Sequence, residues 1–148
     1  MAATAGTRGR RRPSPQSPSI FKAVEILTKG IEIPLPTPHT FVDKDGHTRD
    51  RVRTRWWDVQ ATTYRRVALL SEEERTALPE LEVPAHARLP AITAKPVFFG
   101  HYWMTGSPRP QSSTAACVDY SAGTGGPLVA YRWNAGELLA AHRFVGFG

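Results

Sequence analysis

Cysteine is nearly absent from this 148-residue chain, which has only Cys117. A single thiol excludes an internal disulfide and any zinc site built from several cysteines, so a reducing, cytoplasmic compartment is expected. No run of about 18 apolar residues is present, and the amino terminus lacks the apolar core of a secretion signal. The sequence therefore predicts no membrane span and no membrane partner.

Acidic residues are missing from residues 1–18, which carry four arginines. The formal net charge is +6, so the other 130 residues hold only about +2, which makes nucleic acid an unexpected partner. The tail is small, basic and interrupted by proline and serine, a composition that cannot bury enough apolar surface to order itself. We therefore predict a disordered basic leader at 1–18 and one folded segment at 19–148.

Proline and glycine are abundant, with 13 and 12 copies, while 41% of the residues are hydrophobic. This composition favours short strands and long ordered loops over a helix bundle, with enough apolar residues for one core. The expected fold is therefore of the α/β class and rich in strands.

Local signals place the first elements. Ser19 is a suitable N-cap for a short amphipathic helix that ends at Gly30, and such a helix needs a surface to pack on. Residues 31–38 hold three prolines and should be extended, and residues 41–52 have the pattern of a hairpin that turns at Gly46.

Further signals follow along the chain. Ser71-Glu-Glu-Glu74 matches a capping box at the start of another short helix. In the run from Arg51 to Trp57, arginine alternates with Val52, Thr54 and Trp56, which predicts a half-buried strand. Its arginine face is either simply solvated or directed at phosphate.

An apolar run, Val97-Phe-Phe99, ends abruptly in Gly100-His101. We expect a buried strand here, with Gly100 turning the backbone so that His101 projects from its carboxyl end. An imidazole in that place either ligates a metal or moves a proton, or it caps the strand with one hydrogen bond. These alternatives stay open on the residues alone.

Two later apolar runs, Ala115–Tyr120 and Leu128–Trp133, are joined by a glycine-rich stretch and are expected to form a second hairpin. If the first of them lies beside the Val97 strand, then Asp119 and Tyr120 could orient His101. The joining stretch lacks Gly-Lys-Ser/Thr and so does not predict a phosphate loop.

Two other groups of residues are explained by structural roles. Asp45-Gly46-His47 has the form of a metal-binding Asp-x-His, but its position predicts a hairpin turn. Cys117 lies between apolar neighbours and is expected to be a buried, unreactive thiol. The five histidines are not spaced to ligate one metal from a single element.

Four short sequence blocks, taken together in their order along the chain, are more specific than any single residue. They are Asp43-Lys-Asp-Gly-His47, Arg55-Trp-Trp-Asp58 with Ala61-Thr-Thr-Tyr64, Val97-Phe-Phe-Gly-His-Tyr-Trp103, and Cys117-Val-Asp-Tyr-Ser121 with Gly125-Gly-Pro-Leu-Val-Ala-Tyr-Arg-Trp133. Together they resemble the carboxyl-terminal half of bacterial calcineurin-like metallophosphoesterases, the group described as serine/threonine protein phosphatase-like. The resemblance covers residues 17–148.

The resemblance implies a metal-dependent hydrolase of phosphate esters, and the β-rich carboxyl-terminal portion of a two-sheet αββα sandwich. His101 would be a ligand of a dinuclear centre of divalent ions (Mn, Fe, Zn or Mg) that polarises the ester and lowers the pKa of an attacking water. Gly100, Tyr102, Asp119 and Tyr120 would support that ligand or face the substrate.

The other metal motifs of the family are not found. The chain has no Gly-Asp pair, and its one asparagine, Asn134, follows the last predicted strand. One histidine cannot hold two divalent ions, so no catalytic residue is assigned and the chain alone is expected to be inactive, as an incomplete segment lacking an amino-terminal half. Its open sheet edges predict marginal stability or self-association. The alternative is a small basic module that binds nucleic acid or an acidic protein.

Overall fold

The computed structural model describes residues 19–43, 45–88 and 95–147, apart from the side chain of Leu27. The disorder predicted for residues 1–18 lies outside the described residues. Within them the fold is mixed α/β, with more strand than helix and four two-stranded sheets. The expected strand-rich α/β class is confirmed, and no two-sheet sandwich is identified among the described residues.

Helix α1 spans Ile20–Lys29 and matches its sequence signals. The Ser19 side chain accepts a hydrogen bond from the Lys22 amide, and Gly30 ends the helix with a φ of 87°. Only glycine adopts that conformation without strain, and no side chain would fit there because its Cβ would lie 2.3 Å from the Tyr102 hydroxyl. The apolar side chains of Ile20, Phe21 and Val24 are exposed, so the described residues do not cover this helix face.

Two antiparallel sheets follow. Strand β1 (Glu32–Pro34) lies in the predicted extended segment and pairs with β4 (Arg51–Arg53). Strands β2 (Phe41–Val42) and β3 (Thr48–Arg49) form the expected hairpin, and its turn residue Gly46 has a φ of 82°. Both predictions are confirmed.

A first core lies between these strands and two short helices. Helices α2 (Tyr64–Val67) and α3 (Glu72–Thr76) are capped by Thr63 and Ser71, and Ser71 and Glu74 form the predicted capping box. A 3₁₀ turn follows at Ala85–Ala87. The core side chains come from β1, β4, α2 and the segments next to these elements and after α3: Ile33, Leu35, Val52, Ala61, Tyr64, Val67, Ala68, Leu78 and Val83.

The second half of the chain pairs differently from the prediction. Strand β5 (Val97–Phe99) pairs in parallel with β6 (Ala115–Cys117), across an irregular connection. Strand β7 (Leu128–Tyr131) pairs antiparallel with β8 (Phe144–Phe147) at the carboxyl terminus. The predicted hairpin of residues 115–120 with 128–133 is therefore wrong, because β6 takes β5 as its partner.

Three smaller expectations for this half are also corrected. Phe98 is 39% exposed, so β5 is not a buried strand. Strand β8 follows Asn134, so that residue does not come after the last strand. The glycine-rich stretch holds a 3₁₀ turn, Ala122–Thr124, and a further turn, Ala141–Arg143, leads into β8.

Candidate functional site

The candidate site is the Gly-His loop, residues 100–104, which leaves the carboxyl end of β5. His101 and Trp103 have φ values of 66° and 48°, and both side chains are exposed. Left-handed backbone is costly for residues with a Cβ, and such strain concentrates at functional sites. The expectation that Gly100 makes this turn is wrong, because its φ is not in the left-handed region and the turn is made by the two residues with side chains.

Arg53, at the end of β4, holds the loop from one side. Its Nη1 donates a hydrogen bond of 2.6 Å to the His101 carbonyl oxygen, and its Nη2 lies 3.7 Å from a Glu32 carboxylate oxygen. The guanidinium also lies over the Tyr102 ring, 5.4 Å from the centroid. This contact joins the first core to the loop over a separation of 48 residues.

Asp119 holds the loop from the other side. One carboxylate oxygen accepts from the Trp103 amide at 3.2 Å, and the other accepts from the Ser121 amide at 3.0 Å. The Asp119 carbonyl accepts from the Met104 amide at 3.0 Å. The carboxylate therefore fixes the main chain that follows His101, and its recorded hydrogen bonds are to amides, not to the imidazole.

Tyr102 is the buried residue of the Gly-His loop. Its hydroxyl accepts a hydrogen bond from the Ile31 amide at 3.4 Å, and its ring packs edge to face with Phe99 and Trp57. Burial raises the pKa of this phenol. Tyr102 thus anchors the loop to the aromatic interior and does not face solvent.

Tyr120 is also buried, next to Asp119 in the chain. Its hydroxyl accepts from the Arg109 amide at 3.0 Å, and its ring lies 6.4 Å from that of Phe144. It fixes the connection between β5 and β6. Among the described residues, no hydrogen bond or ring contact joins Tyr120 to His101.

The described residues do not supply the ligand set of a dinuclear metal centre. No group of three or more His, Cys, Asp and Glu side chains that could hold a metal ion occurs among them. The aromatic contact recorded for the His101 ring is with Trp103, at a centroid distance of 6.0 Å. His101 is therefore an exposed imidazole on a fixed loop, and in the described part of the chain it does not belong to a group of three or more potential ligands.

The arginine face of residues 51–55 is largely engaged by carbonyl groups. Val52 and Thr54 are buried, as the alternating pattern predicts, but β4 ends at Arg53 and Trp56 lies in a turn, so the strand is shorter than predicted. Arg51 donates to the Glu32 carbonyl, Arg53 to that of His101, and Arg55 to that of Arg66. The row is thus partly structural, and the basic binding module stays a prediction.

Asp45-Gly46-His47 lies in a hairpin turn, as predicted. Asp43 organises this turn by accepting from the Asp45 and His47 amides and from Arg49 Nε. The His47 amide and the Arg49 side chain, followed by the Asp45 amide, lower the pKa of Asp43 to about 2. These contacts are those of a turn rather than of a metal ligand.

The expected burial of the Cys117 thiol is confirmed. Cys117 is fully buried, its amide donates to the Gln111 side chain, and its Sγ lies 3.6 Å from the Asp119 carbonyl. Burial raises its pKa to about 11, so the thiolate that would react is disfavoured.

Sequence reasoning missed Arg53 as the residue that holds the His101 carbonyl, and it missed the left-handed Trp103. The alternating pattern of residues 51–55 indicated that the Arg53 side chain lies on the polar face of the strand. It did not indicate which group that side chain would contact. Nothing local marks Trp103.

No helix among the described residues is long and apolar enough to cross a membrane. Comparison of the chain with family models, curated proteins and solved structures finds no match.

Asp119→Asn is expected to loosen the Gly-His loop by about 1 kcal/mol, because the amide keeps only one oxygen acceptor for the Trp103 and Ser121 amides. Hydrogen exchange at those two amides, followed by NMR, should be about fivefold faster. Asp58→Asn is the control, since Asp58 accepts from the Gln60 amide in another turn. Unchanged exchange at both amides would contradict the role given to Asp119.

Proposed function

We propose that this chain is the carboxyl-terminal part of a metal-dependent phosphoesterase, to which it contributes His101 as a metal ligand. The observation that carries the proposal is the fixed loop: Arg53 holds the carbonyl of His101, and Asp119 holds the amide two residues later. A protein that presents one exposed imidazole at a strand end, on a main chain held from both sides, is built to position that group.

The remaining ligands would come from an amino-terminal half, because no group of three or more potential metal ligands occurs among the described residues. In the same proposal, further strands would extend the four two-stranded sheets into the two-sheet sandwich of the family. The chain alone would then hold His101 in place without hydrolysing phosphate esters. Divalent ions would bind productively only in the assembled enzyme.

The test is a phosphatase assay with manganese and a chromogenic phosphate monoester, on the chain alone and on the chain co-expressed with the polypeptide encoded directly upstream. The chain alone should give no turnover above the metal blank. The co-expressed form should give metal-dependent turnover, which His101→Ala should reduce at least a hundredfold, as expected when a catalytic metal loses a ligand and its affinity falls.

His142→Ala is the matched control, because His142 is an exposed histidine in a 3₁₀ turn. It should leave turnover unchanged. Robust turnover by the isolated chain would contradict the proposed incompleteness. Turnover of the co-expressed form that survives His101→Ala would remove His101 from the metal site.

A further inference from the structure

A cavity of about 1140 Å³ lies beside the connection between β5 and β6. Most of its lining comes from residues 104–112 of this connection and from residues 55–59, which follow β4. None of the lining residues adjoins a stretch outside the described residues. Its volume exceeds the range of about 300–1,000 Å³ that is typical of small-molecule pockets, so a small organic ligand has room to bind in it.

The charged groups of this cavity favour a singly charged anion. Its charged lining residues are Arg55, Arg109 and Asp58, which leave one positive charge in excess. The adjoining cavity of about 770 Å³ along β4 has four carboxylates against three arginines, so it does not favour an anion. The larger cavity also has hydroxyl groups that can donate hydrogen bonds, on Thr105, Ser107 and Ser112.

Arg109 is presented by a main chain that neighbouring side chains hold in place. Its amide donates to the hydroxyl of the buried Tyr120 at 3.0 Å, and its carbonyl accepts from Gln111 Nε2 at 2.8 Å. Gln111 Oε1 accepts in turn from the amide of the buried Cys117. Arg109 is exposed and takes part in none of the ion pairs found in the described part of the chain. Its guanidinium is therefore available to an anion at a defined place.

Arg55 adds a positive charge that its neighbours neutralise only in part. Its Nη2 donates to the Arg66 carbonyl and lies 3.8 Å from an Asp58 carboxylate oxygen. Its Nε is buried without a hydrogen-bond partner among the described residues. Burial, and then the positive charge of Arg75, lowers the pKa of Arg55. An anion in the cavity would counter both effects, so the surroundings of Arg55 favour its binding.

The remaining lining indicates what the anion is attached to. It is largely apolar and includes Trp57, Leu69, Met104, Pro108 and Pro110. An inorganic ion would leave this surface in contact with water, whereas an apolar group would cover it. A carboxylate carries the single charge that the lining lacks, and its two oxygens match the paired N–H groups of a guanidinium.

We propose that this cavity binds a small organic carboxylate, with the carboxylate at Arg109 in the field of Arg55 and an apolar group against Trp57 and Met104. The inference is independent of the metal site proposed for His101, because that residue does not line the cavity. The carboxylate is held as an anion, and none of its bonds is broken.

The probe is phenylacetate, titrated into the whole chain in metal-free buffer and followed by isothermal titration calorimetry. Binding should saturate at one site, and Arg109→Ala should weaken it at least tenfold, because a charge-assisted pair of hydrogen bonds is lost. Arg109→Lys keeps the charge without the planar pair of donors and should weaken binding about threefold. Both variants keep the main-chain contacts of residue 109, and unchanged amide spectra outside residues 104–112 would verify that they fold.

Arg132→Ala is the matched control, because Arg132 is also exposed and does not line the cavity. Its affinity for phenylacetate should stay within about twofold of that of the unaltered chain. Absence of binding to the unaltered chain, or equal losses in Arg109→Ala and Arg132→Ala, would overturn the proposal.

Three further ligands test the chemical class. Phenylacetamide has the same shape without the charge, and acetate has the charge without the ring, so each should bind at least tenfold more weakly than phenylacetate. Phenylphosphonate, a dianion, should bind no more tightly than phenylacetate. Equal binding of phenylacetamide would make the cavity a purely apolar pocket, equal binding of acetate would make it a general anion site, and tighter binding of phenylphosphonate would assign it to phosphate. Each of these three results would overturn the proposal.

Discussion

Gly126→Ala should destabilise the protein by about 3 kcal/mol, the upper part of the range for overpacking. A Cβ at this position would lie 2.0 Å from the Tyr120 carbonyl oxygen and 3.1 Å from the Ser121 carbonyl carbon. Both are main-chain atoms, so no side chain can rotate away to relieve the contact. The close approach is fixed by the hydrogen bond from the Gly126 amide to the Ser121 carbonyl, at 2.9 Å.

Gly123→Ala is the matched control, because it lies in the same glycine-rich stretch and a Cβ there meets nothing within 4 Å. It should be neutral or slightly stabilising, since alanine has fewer unfolded conformations to lose. Urea unfolding of the two variants, compared by midpoint at constant slope, measures the difference. Equal midpoints would show that the turn is not as tight as the structure has it.

The effect of Gly126→Ala should reach the candidate site. Residues 119–121 must move to admit the new methyl group, and Asp119 and Ser121 belong to the network that holds the Trp103 amide. Exchange at Trp103 should therefore become faster in Gly126→Ala and remain unchanged in Gly123→Ala. This comparison separates a local strain from a general loss of stability.

The elements that the sequence predicted correctly are those set by short-range chemistry. A serine side chain that caps the first amides of α1, and the glycines that end α1 and turn the β2–β3 hairpin, act within four residues of their partners. The capping box at Ser71 is of the same kind. Their signals are local, although the Tyr102 side chain also requires glycine at position 30.

Strand pairing in the second half could not be predicted in this way, because proximity in sequence favoured β6 with β7. Burial decides otherwise: all three residues of β6 are buried, whereas β7 alternates between exposed and buried positions. A continuous apolar strand is typical of parallel pairing, and an alternating one of a sheet with one exposed face. Both strands are uniformly apolar in sequence, so the contrast exists only in the folded structure and could not be read beforehand.

For the candidate site, the sequence indicated an exposed histidine after a strand but not how its loop is held. Gly100 was the natural candidate for the turn, yet the left-handed residues are His101 and Trp103. Their strain is offset by contacts from Arg53, at the end of β4, and from Asp119, which lies two residues after β6. Contacts over 16 and 48 residues depend on the assembled fold, so no local pattern reports them.

Leu78→Ala is expected to cost about 3 kcal/mol, within the range of about 2–5 kcal/mol for deleting a buried leucine side chain. Leu78 is 1% exposed and belongs to the first core, beside the segments that carry Tyr64 and Val83. Its carbonyl accepts from Arg65 Nε at 3.0 Å, which fixes the main chain and hinders collapse into the cavity. The free energy of unfolding should therefore fall by the full cost of the cavity.

Leu81→Ala, three residues later, is the matched control, because Leu81 is 53% exposed. It should change the free energy of unfolding by less than about 0.5 kcal/mol. The first core supports Arg53 through β4, whose Val52 is a core residue, so Leu78→Ala should also speed exchange at the Gly-His loop. Similar unfolding midpoints for the two alanine variants would place Leu78 outside the core, and destabilisation without faster exchange in the loop would break the link between the core and His101.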